Sequence, residues 1–298
     1  MKTGLVLEGG GLRGIYTAGV LDTMLELGIQ FEYVVGVSAG ACNATSYISK
    51  QAGRAGRVIL QNFMNPRYLG YRNLLLHGSI FGMDFVFNQI PNKFDPFDFD
   101  AFESSTVDFE VGATNIETGK TEYFSKEVVS REHFAVVRAS SSIPLVAKIV
   151  TINGKKYLDG AIGDSIPIKH AMEKGYEKNV IILTQPRGFI KKPAGYTGLR
   201  KLYYRRYPKF IEAMENRHNL YNDTLRFIEQ LEKEERVLVL APQKPIPFAS
   251  FEKNVQGMQK LYQNGIQDAH DNADKIRNFM GVPCAEHIKQ PSSDCLKG

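Results

Sequence analysis

The stretch YVVGVSAGACNA, residues 33–44, joins an apolar, β-prone run to a run of small residues that can continue as a helix. Between the two runs, Gly36-Val37-Ser38-Ala39-Gly40 matches the pattern G-x-S-x-G. This pattern places a serine on a tight strand-to-helix turn with its hydroxyl exposed, as a nucleophile requires. The sequence therefore predicts a nucleophilic Ser38, with glycines giving the turn its room. The alternative is an ordinary junction at which Ser38 only caps the helix.

A second glycine-rich turn, LEGGGLRG at residues 7–14, lies between a predicted strand, 5–8, and a predicted helix, 13–27. It matches G-x-G-x-x-G, which is typical of dinucleotide-binding folds. Such a fold needs an acidic residue at the end of its second strand, whereas Glu32 precedes that strand here. Consecutive glycines at a helix start can instead direct backbone amides at one oxyanion, and parallel strands would bring that cradle beside Ser38. A turn that serves packing alone is the third interpretation.

The residue that would activate Ser38 is not evidently a histidine. None of the histidines directly follows a predicted strand in a loop typical of a catalytic base; the six are His77, His133, His170, His218, His270 and His287. Asp159 instead ends the second strand of a hairpin predicted to turn at Asn153-Gly154. Asp-Gly is also a common turn pair, so a turn former is the alternative for Asp159. Asp164 is the nearest competitor, although it can cap a helix that starts near Pro167.

Together these motifs resemble the patatin-like phospholipase family, in its bacterial type. GGGLRG resembles the family's glycine-rich oxyanion block, GVSAG its nucleophile elbow and DGA at 159–161 its aspartate motif. ASSSIP at 139–144 is similar to the family's segment between the two catalytic motifs. The four motifs keep the family's order and spacing over about residues 5–170, and jointly they are far more specific than any one of them.

The resemblance implies a Ser38–Asp159 dyad that works without a histidine, a metal or a cofactor. It implies an oxyanion hole formed by Gly9, Gly10, Gly11 and Ala39, and supporting motif residues Arg13, Gly14, Gly36, Gly40 and Gly160. An exposed aspartate has a pKa near 3.9 and is a poor base, so the dyad requires direct hydrogen bonding and partial burial of Asp159. We expect Arg13 to fix the glycine loop through carbonyls or a carboxylate, with a contact to substrate phosphate as the alternative.

Strands alternate with helices along the chain, which predicts an α/β fold: three layers, α/β/α, around a mostly parallel central sheet of the patatin-like type. We predict a catalytic core at 1–186, a C-terminal helical region with one further strand at 187–281 packed on the same domain, and a loose tail at 282–298. Residues 107–124 and 148–160 are predicted as hairpins and residues 66–104 as irregular. Helices are predicted at 54–65, 198–235 with a break at Pro208, and 251–280.

Composition narrows the class of protein. The 298 residues are 43% apolar, which is enough to bury a large core. The net charge of +5 only weakly favours binding to anionic partners. Three cysteines without framework spacing, Cys42, Cys284 and Cys295, favour a reducing compartment. The N-terminal MKTGLVLEGGG does not match a signal peptide, and no run reaches the ~20 apolar residues of a membrane span. We therefore expect a cytoplasmic protein, with peripheral contact at the inner membrane face.

The segment 187–209 contains eight basic residues, no acidic residue and interleaved aromatics. It is typical of a patch that contacts an anionic membrane, and a solvated basic helix start is the alternative. No nucleic-acid-binding module is recognisable, so we expect no nucleic-acid partner. The aromatic and acidic run at 92–103 lacks the ligand order of a calcium loop and predicts aromatics anchored over the core.

Three functional hypotheses follow. The first is a serine acyl hydrolase acting on lipid esters, whose substrate can be a phospholipid, lysophospholipid, glyceride or thioester. The second is a dinucleotide- or phosphate-binding protein that uses residues 9–14. The third is a catalytically silent lipid-binding protein, which is disfavoured because Ser38 and Asp159 are both present. The sequence leaves the oligomeric state open.

Overall fold

The fold is built on one mixed sheet, seen in a computed structural model that describes residues 2–129, 134–193, 195, 197–244 and 254–282. The eight strands of the sheet are β1 (Thr3–Leu7), β2 (Tyr33–Val37), β3 (Asp108–Asn115), β4 (Thr121–Ser125), β5 (Val150–Ile152), β6 (Lys155–Asp159), β7 (Lys178–Ile182) and β8 (Val237–Leu240). Their order is β5-β6-β3-β2-β1-β7-β8, with β4 paired to β3. The five strands from β3 to β8 along this order are parallel, while β4, β5 and β6 are antiparallel to their neighbours. The predicted mostly parallel sheet is confirmed.

Helices cover both faces of the sheet. The helices within the described residues are α1 (Ile15–Glu26), α2 (Ala39–Ile48), α3 (Arg54–Asn62), α4 (Tyr71–His77), α5 (Phe99–Ser104), α6 (Ala135–Ser140), α7 (Ile168–Glu173), α8 (Thr197–Tyr203), α9 (Pro208–Lys233), α10 (Val255–Asp271) and α11 (Ala273–Met280). Alternate residues of β1 show the layering, because Leu5 and Leu7 pack with α1, α2 and α10, whereas Val6 packs with α7 and α9. The predicted three-layer α/β/α fold is confirmed.

The register along β3 brings two chain segments together. Strand β2 pairs in parallel with β3 and ends with Val37 opposite Gly112. The next residue of β3, Ala113, lies opposite Asp159 at the end of β6. Gly112 and Ala113 also both pair with β4, so β2 and β6 occupy the other edge of β3. The residue that follows β2 and the last residue of β6 therefore meet end to end.

The prediction of irregular structure over 66–104 is wrong. This segment contains α4, a widened π-helical stretch at Phe85–Phe94, and α5, whose first turn is capped by Asp98 accepting from the amide of Ala101 at 2.9 Å. Helices α4 and α5 span only seven and six residues, and the π-helical stretch winds with more than 3.6 residues per turn, so the usual helical hydrophobic pattern does not mark any of them. The aromatics Phe97, Phe99 and Phe102 are buried against one another, as predicted.

Other helix predictions need smaller corrections. The predicted helix 13–27 begins as a 3₁₀ turn at Gly11–Gly14 before α1, and the predicted final helix divides at Asn272 into α10 and α11. The break before Pro208 and the Asn153-Gly154 hairpin turn are confirmed. The predicted tail lies outside the described residues from 283 onward.

The C-terminal region contacts the sheet and its helical layer. Strand β8 pairs in parallel with β7, and α10 packs along α1. Two glycines allow this helix contact, since a Cβ at Gly19 would lie 2.3 Å from the carbonyl oxygen of Tyr262 and one at Gly265 2.2 Å from that of Tyr16. Among the helices of the described residues, none combines the length and apolarity that a membrane crossing needs.

Candidate active site

The predicted nucleophile lies on a sharp turn between β2 and α2. Ser38 has φ 53° and ψ −123°, a conformation that non-glycine residues rarely adopt and that costs about 1–3 kcal/mol. Glycine is required on both sides by close packing. A Cβ at Gly36 would lie 2.8 Å from the amide nitrogen of Ala41, and one at Gly40 2.6 Å from the carbonyl oxygen of Leu7. Close packing against the end of β1 and the first turn of α2 therefore maintains the strained backbone conformation of Ser38.

The end-to-end meeting of β2 and β6 places Asp159 against Ser38. The Ser38 hydroxyl donates a hydrogen bond to Oδ2 of Asp159 at 2.9 Å, and the second carboxylate oxygen accepts from the amide of Ala161 at 2.8 Å. Both side chains are buried. This is the direct contact that a carboxylate base requires.

Burial raises the pKa of Asp159 above its ordinary value. The positive charge of Arg217 and the hydrogen bonds from Ala161 and Ser38 oppose this rise. Arg217, on α9, is half-buried and donates from Nε to the carbonyl oxygen of Ala161 at 2.6 Å. A carboxylate with a raised pKa is a stronger base than an exposed one, so the environment of Asp159 reduces the mismatch with the serine hydroxyl.

Backbone amides suited to an oxyanion lie in the glycine loop and at the start of α2, next to Ser38. The amides of Gly10, Gly11 and Ala39 form no hydrogen bond within the described part of the chain, and Gly11 and Ala39 line a cavity together with Ser38. Gly11 has φ 58°, in the left-handed region that glycine adopts without cost. Gly9 differs from the expectation, because its amide donates to the carbonyl oxygen of Ser165 at 3.2 Å. Gly9 is therefore a packing residue. A Cβ at this position would lie 3.1 Å from the Cβ atoms of both Ser38 and Ala161.

The remaining motif residues hold the loops together. A Cβ at Gly14 would lie 2.6 Å from that of Ala39, and one at Gly160 2.1 Å from the carbonyl oxygen of Gly112. The Arg13 guanidinium is attracted by the buried carboxylate of Glu8. This agrees with an Arg13 that fixes the glycine loop.

Several residues that support the site were not singled out from the sequence. Glu8 accepts hydrogen bonds from the hydroxyl of Tyr221 at 2.8 Å and the amide of Thr184 at 2.5 Å, which ties the end of β1 to α9. Ser140 accepts from the amide of Ser38, and the carbonyl of Ser142 accepts from the amide of Asp159 at 2.8 Å. Ser140 and Ser142 lie in the ASSSIP segment, whose family resemblance pointed to the site. No sequence motif indicates the roles of Glu8 and Arg217.

The competing side chains are engaged elsewhere. Asp164 accepts from the hydroxyl of Tyr123 at 2.7 Å and from the amide of Ile166. His170 stacks on Tyr123 and pairs with Glu110 at 2.7 Å, and His218 contacts the carbonyl oxygen of Glu215. His133 and His287 lie outside the described residues. Among the histidines that the structure does describe, no hydrogen bond joins one to the predicted dyad.

A family model for patatin-like phospholipase matches residues 5–172, which includes both members of this pair. The chain belongs to the patatin-like phospholipase family. Membership places it among enzymes that hydrolyse carboxyl esters of lipids. A second model, a domain of unknown function (DUF6363), matches residues 207–281, from the start of α9 to the end of α11.

Relatives of this patatin-like chain include the uncharacterised protein YjjU of Escherichia coli, which is 28% identical over 89% of this chain and 75% of its own length. Lysophospholipase nte1 of Aspergillus terreus is 24% identical over 97% of this chain but only 19% of its own length, so the chain spans about a fifth of that relative. VipD of Legionella pneumophila superposes with a TM-score of 0.50 over 92% of this chain and 67% of its own, at 14% identity. The last comparison shows the fold alone.

In this patatin-like protein, an apolar cavity of about 140 Å³ opens at Ser38. Its walls come from α2, α3, the π-helical stretch and α6. Apolar side chains dominate the lining, among them Val58, Ile59, Phe81, Val86 and Ile90. We call it the acyl cavity, because its dry walls suit a hydrocarbon chain.

Proposed function

We propose that the protein hydrolyses carboxyl esters of lipids, with Ser38 as the nucleophile and Asp159 as its base. The observation that carries the proposal is the 2.9 Å hydrogen bond from Oγ of Ser38 to the buried carboxylate of Asp159, at the mouth of the acyl cavity. A nucleophile, a base in direct contact and a chain-sized apolar cavity are the three parts that acyl transfer from a lipid needs.

The reaction follows from these contacts. Oγ of Ser38 attacks the ester carbonyl carbon while Asp159 takes the hydroxyl proton. The amides of Gly10 and Gly11, with that of Ala39, stabilise the negative charge on the carbonyl oxygen. Collapse of the tetrahedral intermediate breaks the bond to the alcohol, which leaves with the proton from Asp159. Water then gives a proton to Asp159 and attacks the acyl-serine ester. Collapse of this second intermediate breaks the bond to Oγ of Ser38, which takes the proton back from Asp159 as the fatty acid leaves.

Labelling with a fluorophosphonate probe tests the proposal. The purified protein should form a covalent adduct that mass mapping places on Ser38, and Ser38→Ala should lose both the adduct and turnover of p-nitrophenyl esters. Asp159→Asn should lose nearly as much turnover, and the double variant should be little worse, since residues that act as a unit give non-additive losses. Substantial turnover by folded Ser38→Ala, or a histidine substitution that abolishes turnover while Asp159→Asn spares it, would contradict the mechanism.

We further propose that residues 187–209 contact an anionic membrane. Leu199, Leu202 and Tyr203 of α8 are exposed, and Arg205 and Arg206 follow them in solvent. Not every residue of the segment is available: Tyr204 is buried in the core, while Arg187 pairs with Glu232 and Lys201 with Glu215.

Helix α4 also exposes apolar side chains. Its Tyr71, Leu75 and Leu76 are among the most exposed large apolar side chains of the described residues. The loop after α4 bonds to residue 146 through the amide of Ile80, and residue 145 bonds to the hydroxyl of Tyr204 just after α8. Both helices therefore flank residues 145–146, close to the acyl cavity, where exposed apolar and cationic side chains suit an anionic lipid surface.

A further inference from the structure

A second cavity, of about 100 Å³, shares Ile143 with the acyl cavity and is lined by cations. They are Lys191, Lys192, Arg200 and Arg217, and none of the described residues that line it is acidic. By the same measure of volume a single water needs about 10–15 Å³, so the space can hold a group of several heavy atoms. We call it the basic cavity.

Two of these cations are held in a poorly solvated place. Arg217 and Lys191 are half-buried, and Nζ of Lys191 lies 4.2 Å from the ring centre of Tyr221. Burial and the nearby charge of Arg217 lower the pKa of Lys191 to about 8. Like charges that are brought together away from water are costly, and a bound anion between them would offset that cost.

The lining of the basic cavity reaches the segment that follows Asp159 and the wall of the acyl cavity. Ile143 lines both it and the acyl cavity, and Arg217 bonds to the carbonyl oxygen of Ala161, two residues after Asp159. A substrate whose chain lies in the acyl cavity and whose ester lies at Ser38 would extend its alcohol portion toward these cations. The cations therefore favour a lipid whose alcohol portion carries a negative charge.

We propose that the basic cavity binds the phosphate group of a glycerophospholipid or lysophospholipid substrate. Arginine suits phosphate through its planar fork of donors, and lysine adds a compact charge. A neutral glyceride offers no anion, so the cations would remain without a counter-charge. The proposal rests on the ester hydrolase function above and adds to it a selection for phosphorylated lipids.

A binding experiment tests the cavity without catalysis. Calorimetric titration of the full chain with glycerol 3-phosphate should show binding that glycerol does not, and Lys192→Gln/Arg200→Gln should weaken it at least tenfold. These two side chains are chosen because neither is buried. Lys260→Gln/Lys275→Gln is the matched control, since it removes two exposed charges from α10 and α11 and should bind like the wild type.

A kinetic experiment tests the same cavity on a lipid. The ratio of kcat/KM for octanoyl-lysophosphatidylglycerol to that for monooctanoylglycerol is measured below the aggregation limit of both, with melting temperature as the check of folding. This ratio should fall about tenfold in Lys192→Gln/Arg200→Gln, mainly through KM for the phospholipid, and stay at the wild-type value in the control.

The outcomes separate the cavity from the ester hydrolase function. Unchanged glycerol 3-phosphate binding in the cavity variant, or an unchanged lipid ratio, would overturn the proposal while ester turnover continues. Binding of inorganic phosphate with no preference between the two lipids would assign the cavity to free phosphate and overturn its role in substrate selection. Absence of both lipid turnover and fluorophosphonate labelling would instead contradict the ester hydrolase function, and the titration would still decide the cavity.

Discussion

The hydroxyl of Ser140 accepts a hydrogen bond from the backbone amide of Ser38 at 2.7 Å. The same hydroxyl donates to the carbonyl oxygen of Gly112 at 2.6 Å, at the point where β2 stops pairing with β3. One buried side chain thus satisfies the amide of the strained serine and links it to the strand that positions Asp159.

Removing this hydroxyl should weaken both the fold and the elbow. Ser140→Ala leaves a buried amide and a buried carbonyl unpaired, and one such group costs about 1–3 kcal/mol. We expect the free energy of unfolding in urea to fall by about 2 kcal/mol and kcat for a soluble ester to fall with it. Ser142→Ala is the control, because its equally buried hydroxyl bonds only to the carbonyl of Arg138 one turn earlier. Equal losses in the two variants would contradict a special role for Ser140.

Asp159→Asn should be inactive and yet more stable than the wild type near pH 7. Because burial raises the pKa of Asp159, the folded protein binds this proton more tightly than the unfolded chain does. Stability therefore decreases as the pH rises from the unfolded pKa through the raised folded pKa, and the neutral amide avoids that loss. Each kcal/mol recovered should raise Tm by roughly 2–4 °C.

Melting temperatures measured from pH 5 to pH 8 check this expectation. The advantage of Asp159→Asn should grow as the pH rises and then level off. Ser38→Ala keeps the carboxylate and should show no such growth. A gain that is constant with pH, or absent, would mean that burial does not govern the ionisation of Asp159.

The charge of Arg217 should set the acid limb of the pH–rate profile. Since this cation opposes the rise in the pKa of Asp159, Arg217→Gln should move the limb of kcat/KM to higher pH. The loss of activity should then be larger at pH 6 than at pH 8. Arg217→Lys keeps the charge and should hold the limb nearer its wild-type position. An acid limb that stays in place in both variants would show that Arg217 acts only through packing.

Filling the acyl cavity should shorten the preferred chain. Val58→Phe places a ring in the cavity wall and should lower kcat/KM for a dodecanoyl ester about tenfold, which corresponds to the loss of roughly two buried methylenes at ~0.8 kcal/mol each. The butanoyl ester should change much less. Leu60→Phe, on the same helix but outside the cavity lining, is the control. Equal effects of Val58→Phe on both chain lengths would contradict an acyl-chain role.

Charge removal should weaken membrane binding. Arg205→Gln/Arg206→Gln removes two exposed cations, each worth about 1 kcal/mol at an anionic surface, so binding to anionic vesicles should weaken roughly 30-fold. Co-sedimentation at low and high salt measures the effect, which salt should reduce. Lys260→Gln/Lys275→Gln removes the same charge elsewhere and should sediment like the wild type. Equal sedimentation of the two variants would contradict membrane binding by residues 187–209 and would support a solvated surface segment instead.

The sequence predicted those parts of the site that follow strands. Ser38 and the glycine loop come directly after β2 and β1, and parallel neighbours place both at one sheet edge. Asp159 was found through its hairpin and the family resemblance. Arg217 and Lys191 were not predicted as site residues, because only the packing of α9 and the preceding loop brings them near the site. Helices α4 and α5 were missed because each spans fewer than three turns.

The meeting of β2 and β6 along β3 makes enzymatic turnover a measure of complete folding. Side chains alternate across a strand, so a slip of one residue between β3 and β6 would turn Asp159 to the opposite face. Ser38 and Asp159 are separated by 121 positions, and their contact therefore depends on pairings that loop-closure entropy delays. During refolding, hydrolysis should appear only after all three strands have reached their final register, so a chain with partly assembled strands carries no working hydrolase.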